Sequence, residues 1–413
     1  MTAVLRSAFW HFSAMRWPWL FAFVCVLVTG VFSHSWHRNS AKDVPATSGK
    51  CGDNMSWSYN TTSFTLTISG SGHMYDYTEC GPWSSFDDKM TRIIISDGIE
   101  SIGNYAFASC NKVENVTMGD TVKTLGSHSF YVMSALTSIK LSQLLETIGS
   151  HAFSAASSLE SIELPNSLLH IEQYAFHDSA LTSVSIPASV SFISETSFRA
   201  CTNITSFSVN QANAYFSSRN DVLFNENGTI IYFYPPSKNR TNFTIPANVT
   251  KICSCAFFRT KHLVNINVDQ GNVYYSSQDG VLFDKNFMTL IRYPNKKTNQ
   301  TYSVPGTVKT IVDSAFFSCS SLESITLQEG LTTIEQSAFC YCSKLETLSL
   351  PGSVAALGGG VVYGCNSLKS ISANKNNTMY KSEDGVLFSK DGKLLVHNIR
   401  KENQVVNTQF HME

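Results

Sequence analysis

The stretch LTSIKLSQLLETIGSHAFSAASSLESIELP, residues 136–165, contains one full copy of a pattern that recurs along the chain. Its central residue is Phe153, which directly follows an alanine. Aliphatic residues stand eight and five positions before this phenylalanine, and apolar residues stand six, nine and eleven positions after it. The last three form an L-x-x-I-x-L pattern, which predicts a short strand whose alternate side chains point inward.

The same pattern recurs along most of the chain. The central residues, which we call anchors, are mostly 23 residues apart; one interval is 22 and two are 59. No single unit can bury its apolar face, so strands of neighbouring units must stack in parallel. We therefore predict a mainly β leucine-rich-repeat solenoid of stacked 23-residue units, with little helix. The nine anchors are Phe107, Phe130, Phe153, Phe176, Phe198, Phe257, Phe316, Phe339 and Val362.

The longer intervals contain a second repeated segment. It reads YFSSRNDVLF from Tyr215, YYSSQDGVLF from Tyr274 and MYKSEDGVLF from Met379, and a turn and a second apolar run follow each copy. Asn-Gly and Asp-Gly pairs in these turns are typical of hairpins. We predict three inserted β-hairpins, near residues 213–236, 272–295 and 378–399.

Composition excludes some classes of function. The chain has 30 Lys and Arg against 31 Asp and Glu, and only 15% of its 413 residues are charged. Without a basic footprint, nucleic-acid binding is not expected. With 43% hydrophobic residues the chain can bury a core, so it is not a disordered protein.

The N-terminus indicates export. Residues 17–33 are almost wholly apolar and follow Arg6 and Arg16, which favours a secretory signal peptide cleaved near His34. An uncleaved signal anchor is the alternative, and it would give the protein its membrane contact. Both place the remaining chain outside the cytosol, extracellular or at the cell surface. The predicted organisation is a signal segment (1–33), a linker (34–50), an N-terminal β cap (51–92), the solenoid (93–400) and a tail (401–413).

Asn-x-Ser/Thr sequons support export and predict a glycoprotein, although their excess over chance is modest. The ten candidate asparagines are Asn54, Asn60, Asn115, Asn203, Asn227, Asn239, Asn242, Asn248, Asn299 and Asn376.

The repeat of residues 136–165 resembles that of the BspA-like leucine-rich-repeat surface proteins. The segment CGDNMSWSY…FTLTISGSGHMYDY…PWSSF, residues 51–86, is similar to the cap that often precedes those repeats. The resemblance implies a secreted or surface protein that adheres to or recognises protein or glycan ligands on other cells or matrix. A structural coat protein without a specific ligand is the main alternative; an enzyme inhibitor or an enzyme has less support.

Cys51 and Cys80 bracket the cap, and they are our candidate disulfide in an oxidising compartment. Five further cysteines stand three residues after an anchor, where they can be small buried thiols or a ladder of disulfides between coils. They are Cys110, Cys201, Cys319, Cys342 and Cys365. The spacing of the remaining cysteines does not match zinc sites, so we predict no metal.

No catalytic or cofactor motif occurs, so we predict neither catalytic residues nor a cofactor. His128 and His151 share one repeat position, two residues before the anchor. We interpret them as a solvated stacked pair rather than as a ligand site.

The outward position between the last two apolar residues of each predicted strand forms a candidate binding face. It carries mostly neutral hydroxyls and amides, which hydrogen-bond broadly but give little electrostatic steering. The alternative is that these groups only solvate the sheet. The residues are Thr117, Lys140, Glu163, Ser185, Ser208, Asn267, Thr326, Ser349 and Ser372.

Overall fold

The computed structural model describes residues 45–393 and 395–397, which are built almost wholly of short β-strands. These ranges contain thirty-two strands and one 3-10 helix, Ser84–Phe86. The prediction of a mainly β chain with little helix is confirmed. No helix in these ranges has the length and apolar content needed to cross a membrane. The predicted signal segment, most of the linker and the predicted tail lie outside the described residues.

The cap is an antiparallel sheet of β1 (Ser48–Gly52), β2 (Asn54–Asn60) and β3 (Thr65–His73). β1 begins before residue 51, where we predicted the cap to start. Alternate residues of β2 are buried, as its alternating apolar pattern requires. Trp83 follows the cap sheet, is fully buried and stacks on Phe107 at a centroid distance of 5.1 Å. The cap therefore covers the first ring of the solenoid core.

Two parallel ladders of strands run through the solenoid, and β3 of the cap pairs with the first strand of each. Ladder A holds the aliphatic positions before the anchors: β5 (Ile99–Ile102), β7 (Thr124–Leu125), β9 (Thr147–Ile148), β10 (His170–Ile171), β12 (Phe192–Ile193), β18 (Lys251–Ile252), β24 (Thr310–Ile311), β26 (Thr333–Ile334) and β28 (Ala356–Leu357). Ladder B holds eight of the nine strands predicted after the anchors, together with three that we did not predict. The three are β4 (Arg92–Ile95), β17 (Asn242–Ile245) and β23 (Thr301–Ser303); the eight are β6 (Asn115–Met118), β8 (Ser138–Lys140), β11 (Ser183–Ile186), β13 (Ser206–Val209), β19 (Asn265–Val268), β25 (Ser324–Thr326), β27 (Thr347–Leu350) and β29 (Ser370–Ala373).

The register of the ladders follows the sequence repeat. Ile148 pairs with Leu125 on one side and with Ile171 on the other, and all three hold the same position relative to their anchors. The predicted parallel stacking of equivalent residues is therefore confirmed. The pairing places aliphatic side chains of successive units against one another, which buries the face that one unit could not bury alone.

Anchor side chains form a continuous aromatic stack in the core. From Phe107 to Phe198 each ring lies 5.2 to 5.4 Å from the next, with nearly parallel planes. These distances fall in the favourable range for offset stacking. A second stack runs through Tyr293, Phe316 and Phe339 at 5.1 and 5.0 Å. The 23-residue interval thus places one ring over the next.

Each coil turns around its anchor through left-handed backbone. Both the second residue before and the second after the anchor have positive φ in most units, for example His151 and Ala155 at 56° and 59°. Such conformations are uncommon for residues other than glycine. In the last unit the two positions are Gly360 and Gly364, at 60° and 73°, where glycine removes the strain.

Each inserted segment has three strands, one more than the two-stranded hairpin that we predicted. Each is an antiparallel three-stranded meander, and the third strand of the first two continues as a rung of ladder A by pairing in parallel with β18 or β24. The strands of the insertions are β14 (Phe216–Arg219), β15 (Val222–Asn225) and β16 (Ile230–Phe233); β20 (Tyr275–Gln278), β21 (Val281–Asp284) and β22 (Thr289–Arg292); β30 (Tyr380–Glu383), β31 (Val386–Ser389) and β32 (Leu395–His397). Each of the first two insertions therefore supplies a rung of ladder A, although the ladder is interrupted before that rung: β12 does not pair with β16, nor β18 with β22.

A buried asparagine fastens each insertion to the preceding coil. The Asn272 amide nitrogen donates to the carbonyls of Pro246 and Val249, both at 2.9 Å. Its amide oxygen accepts from the N–H groups of Tyr274 and Tyr275, both at 2.8 Å. Asn213 and Asn377 make the equivalent four bonds in the other insertions. Each side chain is thus fully satisfied although it is buried.

Candidate functional site

The predicted binding face is solvent-accessible. Eight of its nine residues are exposed and Thr117 is half-buried. Parallel pairing brings several of them side by side, as in Ser185 beside Ser208 and Ser349 beside Ser372. The hydroxyls of the latter pair lie 3.1 Å apart. We call these nine residues the ladder B row. That it binds a ligand stays a prediction.

Among the described strands, ladder B is interrupted between β8 and β11, between β13 and β17, and between β19 and β23. The first interruption lies within the row and away from the insertions, and we call it the break. We predicted a strand over residues 159–164, but residues 161–164 are not part of any strand, so β8 and β11 do not pair through them. Phe176 and Phe198 are only 22 residues apart, and the missing residue lies in the connection from Phe176 to β11. The break therefore coincides with a shorter connection, whose reach is reduced by about 3.3 Å per residue.

The break leaves main-chain donors unpaired. On either side of it the ladder is regular: Thr137 N–H donates to Glu114 O at 3.0 Å, and Thr182 N–H donates to Glu160 O at 3.0 Å. Between them, the N–H groups of residues 160–164 make no hydrogen bond to any described part of the chain. Buried main-chain donors are almost always paired, so unpaired ones in a sheet must face solvent or a ligand.

A cleft of about 560 Å³ opens at this place. Its floor includes Ile139 and Ile162, which are half-buried, whereas Val116 and Val184 at the equivalent positions are buried. The break therefore uncovers a small apolar surface. The exposed polar side chains at the cleft are Thr137, Ser138, Gln143, Ser161, Glu163, Asn166, Ser185 and Asn210.

Glu163 is the only charged side chain that lines the cleft. No hydrogen bond or ion pair of this carboxylate occurs among the described residues. The nearest cation of the row, Lys140, lies 3.5 Å from the Asp120 carboxylate, and both side chains are exposed. The cleft can thus offer one ligand three kinds of contact: a negatively charged hydrogen-bond acceptor, unpaired main-chain donors and an apolar floor.

The histidine pair is less solvated than we predicted. Tyr105, His128, His151 and Tyr174 form one stack with centroid distances of 4.5 to 4.8 Å. Both imidazole Nδ1 atoms are buried and have no hydrogen-bond partner in the described chain. Burial lowers the pKa of each imidazole to about 4. The predicted stacking of the two imidazoles is confirmed, whereas both side chains are half-buried because the stacked tyrosines remove water from the rings.

The cysteines are not arranged as the disulfide prediction requires. Cys51 and Cys80 are both unpaired, and the neighbour of Cys80 is Cys110, with their sulfur atoms 3.9 Å apart. The thiols of Cys342 and Cys365 donate to the carbonyls of Phe316 and Phe339 one coil earlier, at 3.1 and 3.0 Å. Cys342 and Cys365 thus act as small buried residues with hydrogen-bonded thiols, whereas the sulfur atom of Cys110 faces Cys80.

The sequon asparagines are all exposed, so an oligosaccharide can be attached without unfolding the chain. Their glycosylation stays a prediction. Within residues 45–393 and 395–397, no group of three or more His, Cys, Asp or Glu side chains comes together as a metal site. Sequence reasoning missed the buried asparagines of the insertions. The repeated N-x-[Y/M]-[Y/F] at residues 213–216, 272–275 and 377–380 was the signal that could have found them.

Comparison with solved structures finds several bacterial proteins to which this chain is similar at low identity. A leucine-rich-repeat protein from Eubacterium ventriosum is 24% identical with a TM-score of 0.41, covering 79% of this chain and 72% of that one. A leucine-rich cell surface protein from Faecalibacterium prausnitzii is 20% identical with a TM-score of 0.44, covering 82% and 91%. The pneumococcal vaccine antigen PcpA is 19% identical with a TM-score of 0.39, covering 80% and 82%.

No curated protein matches the sequence. The family model described as the BspA type leucine-rich repeat region matches in six copies, over residues 84–219, 231–299 and 293–411. These matches span well over half of the chain and include all nine anchors. The periodic anchors, the two ladders and this match agree, and the chain belongs to the BspA-type leucine-rich-repeat family.

Proposed function

We propose that this chain is a secreted or cell-surface recognition protein that binds a macromolecular partner without catalysing a reaction. The cleft at the break in ladder B carries the proposal, because it combines an apolar floor, unpaired main-chain donors and one free carboxylate. The lining is mostly polar, and placed polar groups of this kind fix the orientation of a bound ligand. Beside the cleft, the paired row residues Ser185 and Ser208 extend the contact surface.

The location follows from the same observations. The family is typically found among surface proteins, and ten exposed sequons are compatible with passage through a secretory compartment. A row of hydroxyls and amides needs no strong charge on the partner, so we expect binding that depends weakly on salt.

The test uses the full chain and a matched pair of variants. Ser185→Arg places a long side chain in the cleft, whereas Ser349→Arg makes the same change at the equivalent repeat position far along the ladder B row. Both serines are exposed, so neither change disturbs the core. We expect binding to a panel of animal cells, matrix proteins and bacterial cells to fall about tenfold with Ser185→Arg and to change little with Ser349→Arg.

Equal binding of both variants would contradict a role for the cleft. If the unmodified chain bound none of the targets but self-associated, the structural coat protein would be the better interpretation.

A further inference from the structure

The geometry of the cleft specifies the kind of partner more closely, and this inference rests on the proposed function. Residues 160–164 form an irregular segment between β8 and β11, which belong to two separate sheets, and their N–H groups are unpaired within the described chain. An added extended chain can satisfy such donors, because strand addition relies on main-chain hydrogen bonds.

The side chains of the cleft indicate what that extended chain carries. Ile139 and Ile162 are half-buried on the floor, where they can cover one aliphatic side chain. Glu163 is exposed and lies in the same cleft, where a cation can approach it. Successive side chains of an extended peptide point to opposite sides, so alternate residues reach the floor.

We propose that the cleft binds an extended peptide segment of a protein partner, with an aliphatic residue on the floor and a lysine or arginine at Glu163. A glycan is the alternative ligand. The lining contains no aromatic residue on which a sugar ring could stack, while it does contain the unpaired main-chain donors that suit a peptide.

The experiment selects linear dodecapeptides displayed on phage with the full chain as bait, after depletion on the Ser185→Arg variant. We expect enriched peptides to combine an aliphatic residue with a nearby lysine or arginine. Glu163→Gln is expected to weaken their binding roughly two- to fivefold, as for an exposed ion pair. Glu226→Gln, which changes an exposed carboxylate far from the cleft lining, is the control.

Hydrogen exchange provides a readout that does not depend on side chains. Bound peptide should slow the exchange of the amides at residues 160–164, and amides at 99–125 should not change. Selected peptides that bind Ser185→Arg equally well, or that leave 160–164 unprotected, would overturn the peptide proposal. A parallel glycan array distinguishes failure of the peptide proposal from failure of the recognition function. A glycan that binds the unmodified chain but not the Ser185→Arg variant would support the recognition function and reject a peptide as the ligand.

A second inference concerns the contact between the cap and the solenoid. Cys80 lies in the loop after the cap sheet and is half-buried, while Cys110 is fully buried in the first repeat. Their sulfur atoms are 3.9 Å apart, whereas a disulfide needs about 2.05 Å. A small side-chain movement of the more exposed residue would bring them to bonding distance.

We infer that Cys80 and Cys110 form a disulfide that ties the cap to the first repeat in an oxidising compartment. An external disulfide, such as oxidised glutathione, supplies the oxidising equivalents. The thiolate of Cys80 attacks it, forms a mixed disulfide and releases one glutathione thiolate. Deprotonated Cys110 then attacks the Cys80 sulfur and releases the second glutathione. The two protein thiols lose two electrons and two protons, and the oxidant is reduced to two thiols.

Peptide mapping distinguishes this bond from the pair that we predicted from the sequence. Trypsin leaves Cys51 and Cys80 in one peptide, residues 51–89, and Cys110 in another, residues 93–112. After incubation of the full chain with oxidised glutathione, mass spectrometry should show these two peptides linked until a reductant is added. Cys80→Ser should abolish the link and the matched Cys51→Ser should preserve it. A disulfide between Cys51 and Cys80 within peptide 51–89 would reject the inference. So would unlinked peptides after all the oxidised glutathione has been reduced.

Discussion

The repeats before Phe198 and the repeats that carry insertions build their cores differently. From Phe107 to Phe198 one ring follows another in a single stack, with equal spacing and nearly parallel planes. Around the first insertion the rings of Tyr234, Phe243 and Phe257 are tilted instead, at 5.1 to 5.8 Å. At the first insertion, hydrogen bonds from the buried Asn213 hold the inserted segment where regular stacking is lost, and stacking resumes at Tyr293 after the second insertion. A solenoid therefore tolerates an insertion when the inserted strand rejoins a ladder.

The break in ladder B, however, does not lie beside an insertion. It falls in residues 161–164, at the end of the stretch whose pattern is most regular. At the first two insertions both ladders are interrupted; at the first, β12 does not pair with β16 and β13 does not pair with β17. The break at residues 161–164 coincides instead with a single missing residue in the next connection. Local regularity of sequence is thus a poor guide to where the surface becomes irregular.

The largest effect should come from the regular stack. Phe153→Ala removes a fully buried ring that lies between two others, and we expect the free energy of unfolding to fall by about 3–5 kcal/mol. Phe257→Ala, in the tilted cluster, should cost about 1 kcal/mol less because stacking adds to burial. Urea unfolding followed by tryptophan fluorescence measures both, with exposed Phe192→Ala as control. A larger loss for Phe257→Ala would contradict the role of the stack.

The second-largest loss of stability should follow removal of the hydrogen bonds that the buried asparagines make between an insertion and the preceding coil. Asn272→Ala removes four hydrogen bonds and leaves buried carbonyls without a donor, so we expect a loss of about 3 kcal/mol. Hydrogen exchange should accelerate mainly at residues 272–295 and hardly at 99–171. The exposed Asn299→Ala serves as the control. Uniform acceleration along the chain would mean that the asparagine does not act locally.

The histidine stack should make the regular repeats sensitive to acid. Burial holds the pKa of His128 and His151 at about 4 in the folded chain, below the usual 6.5, so the unfolded chain takes up protons first as the pH falls. The stabilising contribution of the two neutral histidines is fully present above pH 6.5 and is lost as the pH falls from 6.5 to about 4. We expect about 1–2 kcal/mol per histidine, since both rings are only half-buried.

Thermal unfolding at pH 7 and pH 4.5 tests this dependence. His151→Tyr, which copies Tyr105 and Tyr174 at the same repeat position, should reduce it, and the exposed His262→Gln should not. An unchanged pH dependence in His151→Tyr would show that other groups cause the acid sensitivity.

Surface ion pairs should matter least. Lys369 Nζ lies 2.9 Å from Glu346 Oε2, but both side chains are more than half exposed. Lys369→Ala should change the free energy of unfolding by at most about 0.5 kcal/mol. A loss above about 1 kcal/mol in the same urea assay would show that charge stabilises the solenoid more than its composition indicates.

Much of the fold followed from the sequence because its determinants are periodic. Anchors 23 residues apart predict the stacking rings, and aliphatic pairs before them predict ladder A. The insertions were found as hairpins, but their third strands were not assigned to a ladder, because pairing across the insertion depends on contacts that no local pattern contains. The same holds for Cys80, whose neighbour is Cys110 rather than Cys51.

By itself the sequence determined the family, the repeat and the residues that face the core, since a period of 23 leaves one way to bury each apolar position. Only the tertiary structure decided where ladder B breaks, which donors it leaves free and which thiols meet. These depend on the register between coils, which one missing residue near Phe176 can alter without changing the apolar pattern. The apolar pattern predicts which side chains are buried, whereas the tertiary structure determines which groups remain exposed to solvent.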